Sequence, residues 1–155
     1  MVTLGLDVST VAVGWALWKD EVGIEGTGMI EFDKKSSLPS KLRYANSYFQ
    51  HLYETLKPDK VVMEDSYFSF NIKTLKVLCM VQGAVLSSWN GENVILVNAS
   101  RARKQFGIEG KGKGQGRMKR EEVKKVVKDK IKEKFGIEIQ NDDIADAIVL
   151  ACYKE

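Results

Sequence analysis

The chain has 155 residues, 44% hydrophobic and 29% charged, with 24 Lys+Arg against 21 Asp+Glu, which is the size and make-up of one globular domain with its own core. Only two prolines and no low-complexity tract argue against a disordered or fibrous chain. No apolar run approaches the roughly 18 residues a membrane helix needs, so no membrane partner is expected.

In chain order, residues 2–8, 11–18 and 24–32 form three apolar runs that read as adjacent strands joined by tight turns. Leu42, Ala45, Tyr48, Phe49, Leu52, Tyr53 and Leu56 recur at helical spacing until Lys57-Pro58 stops them. Residues 60–64 form a fourth strand, 72–89 a second helix and 93–97 a fifth strand. Short helices are expected from Ser100 and from Met118, and a last one from Asn141 or Asp142 to Tyr153. This order predicts a single α/β domain over 1–155, a mixed five-stranded sheet flanked by helices. The first residues show neither a basic stretch nor a small-residue cleavage site, so a cytoplasmic protein is expected. Cys79 and Cys152 each sit in an apolar stretch and read as reduced core residues.

The net charge of +3 hides an uneven distribution. Residues 101–134 carry 14 Lys+Arg against 5 Asp+Glu, whereas the remainder carries 10 against 16. A solvated helix accounts for the lysines from Lys124 to Lys134. Arg101, Arg103, Lys104, Lys111, Lys113, Arg117, Lys119 and Arg120 lie in or beside a glycine-rich loop and suit a polyanion, because each phosphate neutralised releases counterions. Nucleic acid is the expected partner.

Asp7 and Glu64 close the first and fourth strands. Asp143 and Asp146 stand three residues apart on the first turn of the last helix, projecting from one side. Capping explains Asp142 or Asp143 but not Asp146, which precedes the apolar residues Ala147, Ile148, Val149, Leu150 and Ala151 and should point inward. Converging carboxylates repel one another and require a divalent cation; oxygen-only ligands indicate Mg²⁺ or Mn²⁺.

Gly5-Leu6-Asp7-Val8-Ser9-Thr10 followed by Val13-Gly14-Trp15-Ala16, Glu64 after an apolar strand, and Asp143-Ile-Ala-Asp146-Ala-Ile resemble the RuvC family of Holliday-junction resolvases, within the ribonuclease H-like superfamily. The resemblance covers nearly the whole chain. An Asp-x-Ser-Thr after a strand also occurs in actin-like sugar kinases, but those need two such domains. The small size and many lysines look like a phage-encoded member.

The resemblance implies a metal-dependent endonuclease that resolves four-way junctions and other branched DNA by paired nicks, leaving 5′-phosphate and 3′-hydroxyl ends. It implies that Asp7, Glu64, Asp143 and Asp146 hold two Mg²⁺ or Mn²⁺ ions. It places a base-stacking aromatic after Glu64, best matched by Tyr67, with Phe68 and Phe70 as neighbours. It places basic residues at Arg103 or Lys104 and at Lys119-Arg120, and a homodimer interface on the helix within 71–90, where Val77, Val81 and Ala84 form a second apolar side beyond Ile72, Leu75, Leu78, Cys79, Gln82, Val85, Leu86 and Trp89. His51 receives no role. A ribonuclease H-like nuclease acting on RNA in an RNA/DNA hybrid or on single-stranded DNA, and a junction-binding module without catalysis, are the alternatives; the second would require a missing carboxylate, and all four are present.

Overall fold

The computed structural model describes residues 1–66, 71–110, 116 and 118–155. Its elements are β1 (Val2–Val8), β2 (Ala12–Lys19), β3 (Gly23–Glu31), α1 (Leu38–Leu56), β4 (Lys60–Glu64), α2 (Ile72–Leu86), β5 (Val94–Val97), α3 (Ala99–Phe106), α4 (Arg120–Phe135) and α5 (Asp142–Ala151). One mixed sheet has the order β3-β2-β1-β4-β5. β2 runs antiparallel to both β1 and β3, whereas β4 is parallel to β1 and to β5. The carboxyl ends of β1, β3, β4 and β5 therefore share one edge.

Side-chain alternation along the strands decides which residues meet which helix. Leu4, Leu6 and Val8 of β1 with Val61 and Met63 of β4 pack in a core with Phe49 and Tyr53 of α1 and Val81 and Val85 of α2. Ala16 and Val62 belong to the opposite core, built with α3, α4 and α5. Asp7 and Glu64 have the parity of Gly5 and Val62, so both carboxylates stand on the α5 side of the sheet. Tyr53 donates its hydroxyl proton to the Val85 carbonyl (2.8 Å) and Asn46 donates to the Ala84 carbonyl (3.2 Å), tying α1 to α2.

The structure shifts several expected boundaries for local reasons. α1 begins at Leu38 because the Ser37 side chain caps it by accepting from the Ser40 N–H and Pro39 suits the first turn. α4 is 16 residues long rather than short, opened by the Glu122 carboxylate accepting from the Lys119 N–H and closed by Gly136 at φ 68°. α5 is capped by Asn141, whose side chain accepts from the Ile144 N–H, so neither Asp142 nor Asp143 is the cap. Cys79 is exposed, which corrects its reading as a core residue: α2 turns that side outward. Cys152 is half-buried and its thiol is pushed up to about 12 by burial, as an inert thiol would be. No helix among the described residues is long and apolar enough to cross a membrane.

Candidate active site

α5 lies unusually close to the sheet, and two strand glycines permit it. A Cβ on Gly5 would overlap the Ala147 carbonyl and the Ala151 nitrogen, and one on Gly14 would stand 2.5 Å from the Asp143 carbonyl oxygen. Ala145, Ala147 and Ala151 are the small residues that α5 presents to its surroundings, each buried. Glycine inside a strand marks such a close backbone approach. Gly5 and Gly14 thus bring the first turn of α5, with Asp143 and Asp146, over the end of β1.

The four carboxylates act on one another electrostatically. Asp7 is held well above the ordinary carboxylate range by burial first, then by the charges of Asp146, Glu64 and Asp143, and by a hydrogen bond to Asp143. Burial likewise raises Glu64, with the Arg103 guanidinium opposing and Asp146 adding to the shift. Asp146 is raised by burial, opposed by Arg103, and raised further by Asp143 and Asp142. Arg103 of α3 places Nη2 3.7 Å from Asp146 Oδ1, both side chains about one-third exposed or less (30% and 26%). Gln82 of α2 donates to the Glu64 backbone carbonyl at 3.0 Å, holding the end of β4.

Asp142 does something the sequence did not reveal. Its carboxylate binds Lys124 Nζ at 2.9 Å and Lys128 Nζ at 2.6 Å, one helical turn apart on α4. These two lysines are therefore not a solvated row; they fasten α4 to the turn that carries Asp143 and Asp146, and they hold the Asp142 carboxyl below its usual range. Lys104, Lys119 and Arg120 are exposed. His51 is exposed on α1 and far along the helix from this edge. Tyr67, Phe68, Phe70, Lys111, Lys113 and Arg117 lie outside the described residues.

Among the described residues, no three His, Cys, Asp or Glu side chains are gathered tightly enough to enclose a metal ion as they stand. The donor chemistry nevertheless fits one. Four carboxylates and, among the described residues, a single nearby guanidinium leave excess negative charge in a partly buried place, and an oxygen-only set suits a hard divalent cation. Gly5, Gly14, Gln82 and Asp142 have roles here that the sequence did not show. Only the glycines left a signal, as small residues inside apolar strands.

The chain matches the family model "Crossover junction endodeoxyribonuclease RuvC" over residues 3–154. It is 24% identical over 154 residues to the RuvC crossover junction endodeoxyribonuclease of Finegoldia magna, covering 97% of this chain and 90% of that protein. The Dictyoglomus thermophilum protein of the same name is 28% identical over 155 residues, covering 97% and 93%. Among solved structures, Thermus thermophilus RuvC in complex with Holliday junction substrate superposes with a TM-score of 0.79 at 13% identity, covering 97% of this chain and 90% of that one. The Fowlpox virus resolvase in its complex with Holliday junction DNA gives 0.56 at 18% identity, covering 97% and 94%. The two superpositions establish the fold.

Proposed function

Because the chain belongs to the RuvC family of crossover junction endodeoxyribonucleases, we propose that it resolves four-way DNA junctions, and other branched DNA, by metal-dependent paired nicks. The observation that carries this reading is the convergence of Asp7, Glu64, Asp143 and Asp146 at one edge of the sheet, where burial first and then their mutual charge raise the Asp7 carboxyl well above its usual range.

Asp7, Glu64, Asp143 and Asp146 would hold two Mg²⁺ ions, with Mn²⁺ an acceptable substitute. When bound, the metal lowers the pKa of a water and neutralises charge on the phosphate and leaving oxygen. The chain's own residues set the stage for that chemistry. Gly5 and Gly14 let α5 deliver two carboxylates to the two that the strands deliver. Arg103 pairs with Asp146 and opposes the burial that raises both the Asp146 and the Glu64 carboxyls, so it favours their charged forms. As an exposed-phosphate ligand it joins Lys104, Lys111, Lys113, Arg117, Lys119 and Arg120, which contact the backbone without reading sequence. Tyr67, with Phe68 beside it, stacks on a base unpaired at the branch point.

A homodimer through α2 would set two such sites about a two-fold axis, matching the two strands to be cut. The face available for it differs from the expected one. Val77, Val81 and Ala84 pack in the core, whereas Ile72 (54% exposed), Met80 (49%) and Cys79 point outward, and Gly83 opens onto free space that a partner helix can approach. Acting on DNA, the protein would work in the cytoplasm. The direct test is a gel assay of labelled four-way, three-way, Y-shaped and linear DNA with and without Mg²⁺. Cutting of branched DNA only with Mg²⁺ supports the reading; equal cutting of linear DNA, or of RNA in a hybrid instead, contradicts it.

A further inference from the structure

The edge of the sheet that carries Asp7 and Glu64 also carries a second basic segment, unrelated in sequence to residues 101–134. β3 leaves the sheet at this same edge, and the Phe32 N–H donates to the Val11 carbonyl at 2.9 Å, pinning the exit against the β1–β2 turn. Residues 1–31 contain one lysine and five acidic residues; residues 32–44 contain Lys34, Lys35, Lys41 and Arg43 against Asp33 alone. A basic island thus interrupts an acidic stretch where β3 brings the chain to the edge that carries Asp7 and Glu64.

The state of these cations separates them from four of the six lysines of α4. Lys34, Lys35 and Arg43 are exposed, and among the described residues none of the four has a carboxylate partner within 4.0 Å, whereas Lys124, Lys128, Lys130 and Lys132 all do. The single acid of the segment is already engaged, since Asp33 Oδ1 accepts from the Lys35 backbone N–H at 2.9 Å. Position gives the patch its meaning. Neighbouring strands lie about 4.8 Å apart, so the exits of β3 and of β5 each stand two spacings, roughly 10 Å, to either side of β1 and Asp7. β5 leads into α3 with Arg101, Arg103 and Lys104. The strand exits that lead to these two groups of cations are therefore about 20 Å apart, the rise of roughly six base pairs, with Lys34 and Lys35 at the β3 exit and Lys41 and Arg43 on the first turns of α1, which covers the face opposite α5.

We propose that Lys34, Lys35, Lys41 and Arg43 form a second phosphate-binding surface, which holds the DNA backbone on the β3 side of the scissile bond while the α3 side holds it on the other. The inference rests on the nucleic-acid reading above and adds where the second stretch of backbone lies. Arms held on both sides of the carboxylates cannot swing away from them, so the patch contributes to binding of DNA and not to the chemical step.

The experiment is a salt titration of binding to a labelled four-way junction, from about 50 to about 300 mM NaCl, in EDTA so that no strand is cut. The full chain is compared with the triple variant Lys34→Gln, Lys35→Gln, Arg43→Gln. A control, Lys130→Gln, Lys132→Gln, Lys134→Gln, removes as much charge from the far end of α4, where Phe135 packs on Trp18 at the opposite edge of the sheet. With about 0.9 counterions released per phosphate, the slope of log affinity against log salt should fall by about 2 to 3 in the first variant and stay at the wild-type value in the control. An unchanged slope in the first variant, or an equal fall in the control, overturns the proposal. Wild-type protein that binds no branched DNA overturns the underlying reading instead, so the two failures are told apart by the unmutated chain.

Discussion

Gly14 touches both halves of the proposed metal site: it is the ladder partner of Asp7 in the β1–β2 pair, and a Cβ placed on it would stand 2.5 Å from the Asp143 carbonyl oxygen. The atoms in the way are backbone, which cannot swing aside as a long side chain would. Gly14→Ala should therefore lift the first turn of α5 from the sheet, with an overpacking cost of about 1–3 kcal/mol and a melting point lower by several degrees. Cleavage should fall further than the stability loss accounts for, because Asp143 moves with that turn. Melting curves and single-turnover cleavage, both on folded protein, check this; a variant with wild-type values for both would show that α5 is not seated by this contact.

The raised carboxyl groups of Asp7, Glu64 and Asp146 fix a sign for the pH dependence. A carboxyl raised on folding binds more protons folded than unfolded, so its contribution to stability is lost as pH rises from the unfolded value through the folded one. Metal-free protein should lose melting temperature between mildly acidic and neutral pH, and Asp7→Asn should lose less. Mg²⁺ should restore the neutral-pH loss in the wild type but less in the variant, and the Mg²⁺ concentration needed should drop as pH rises because protons compete for the same oxygens. A melting temperature that rises with pH alike in both proteins would count against mutual repulsion.

Asp142 should behave as a structural fastener. Its carboxyl is held low by Lys128 and Lys124, so its stabilisation is present above the unfolded value and lost as pH falls through the folded one. For partly exposed pairs the loss in Asp142→Asn should be about 1 kcal/mol. Hydrogen exchange should speed up in α4 more than in α1. Uniform exchange across both helices would mean that apolar packing by Val127 and Ile131, and not the ion pairs, holds α4.

The strands and the placement of Asp7 and Glu64 were legible because alternation is a local property: residue parity puts both on one face, and each strand end is read from its own apolar run. The approach of α5 was not legible, since the need for Gly5 and Gly14 depends on a helix some 130 residues away in sequence. The outward side of α2 was misjudged for a similar reason. Its apolar residues encircle much of the helix, and only the contacts of α1, through Asn46 and Tyr53, decide which of them are covered. The double pairing of Asp142 escaped because capping, which its position suggested, is performed by Asn141 instead.

The central claim is that four carboxylates hold the metal that cuts the strand, and the most direct measurement compares wild type with Glu64→Gln on one four-way junction, at saturating protein and with Mg²⁺, following both cutting and binding. Removing one metal ligand should slow cutting by about 10³-fold or more, a loss of several kcal/mol of transition-state stabilisation, while binding stays the same or tightens because a charge that repels phosphate is gone. Cutting near the wild-type rate, or a loss of cutting that merely follows a loss of binding, would contradict the account.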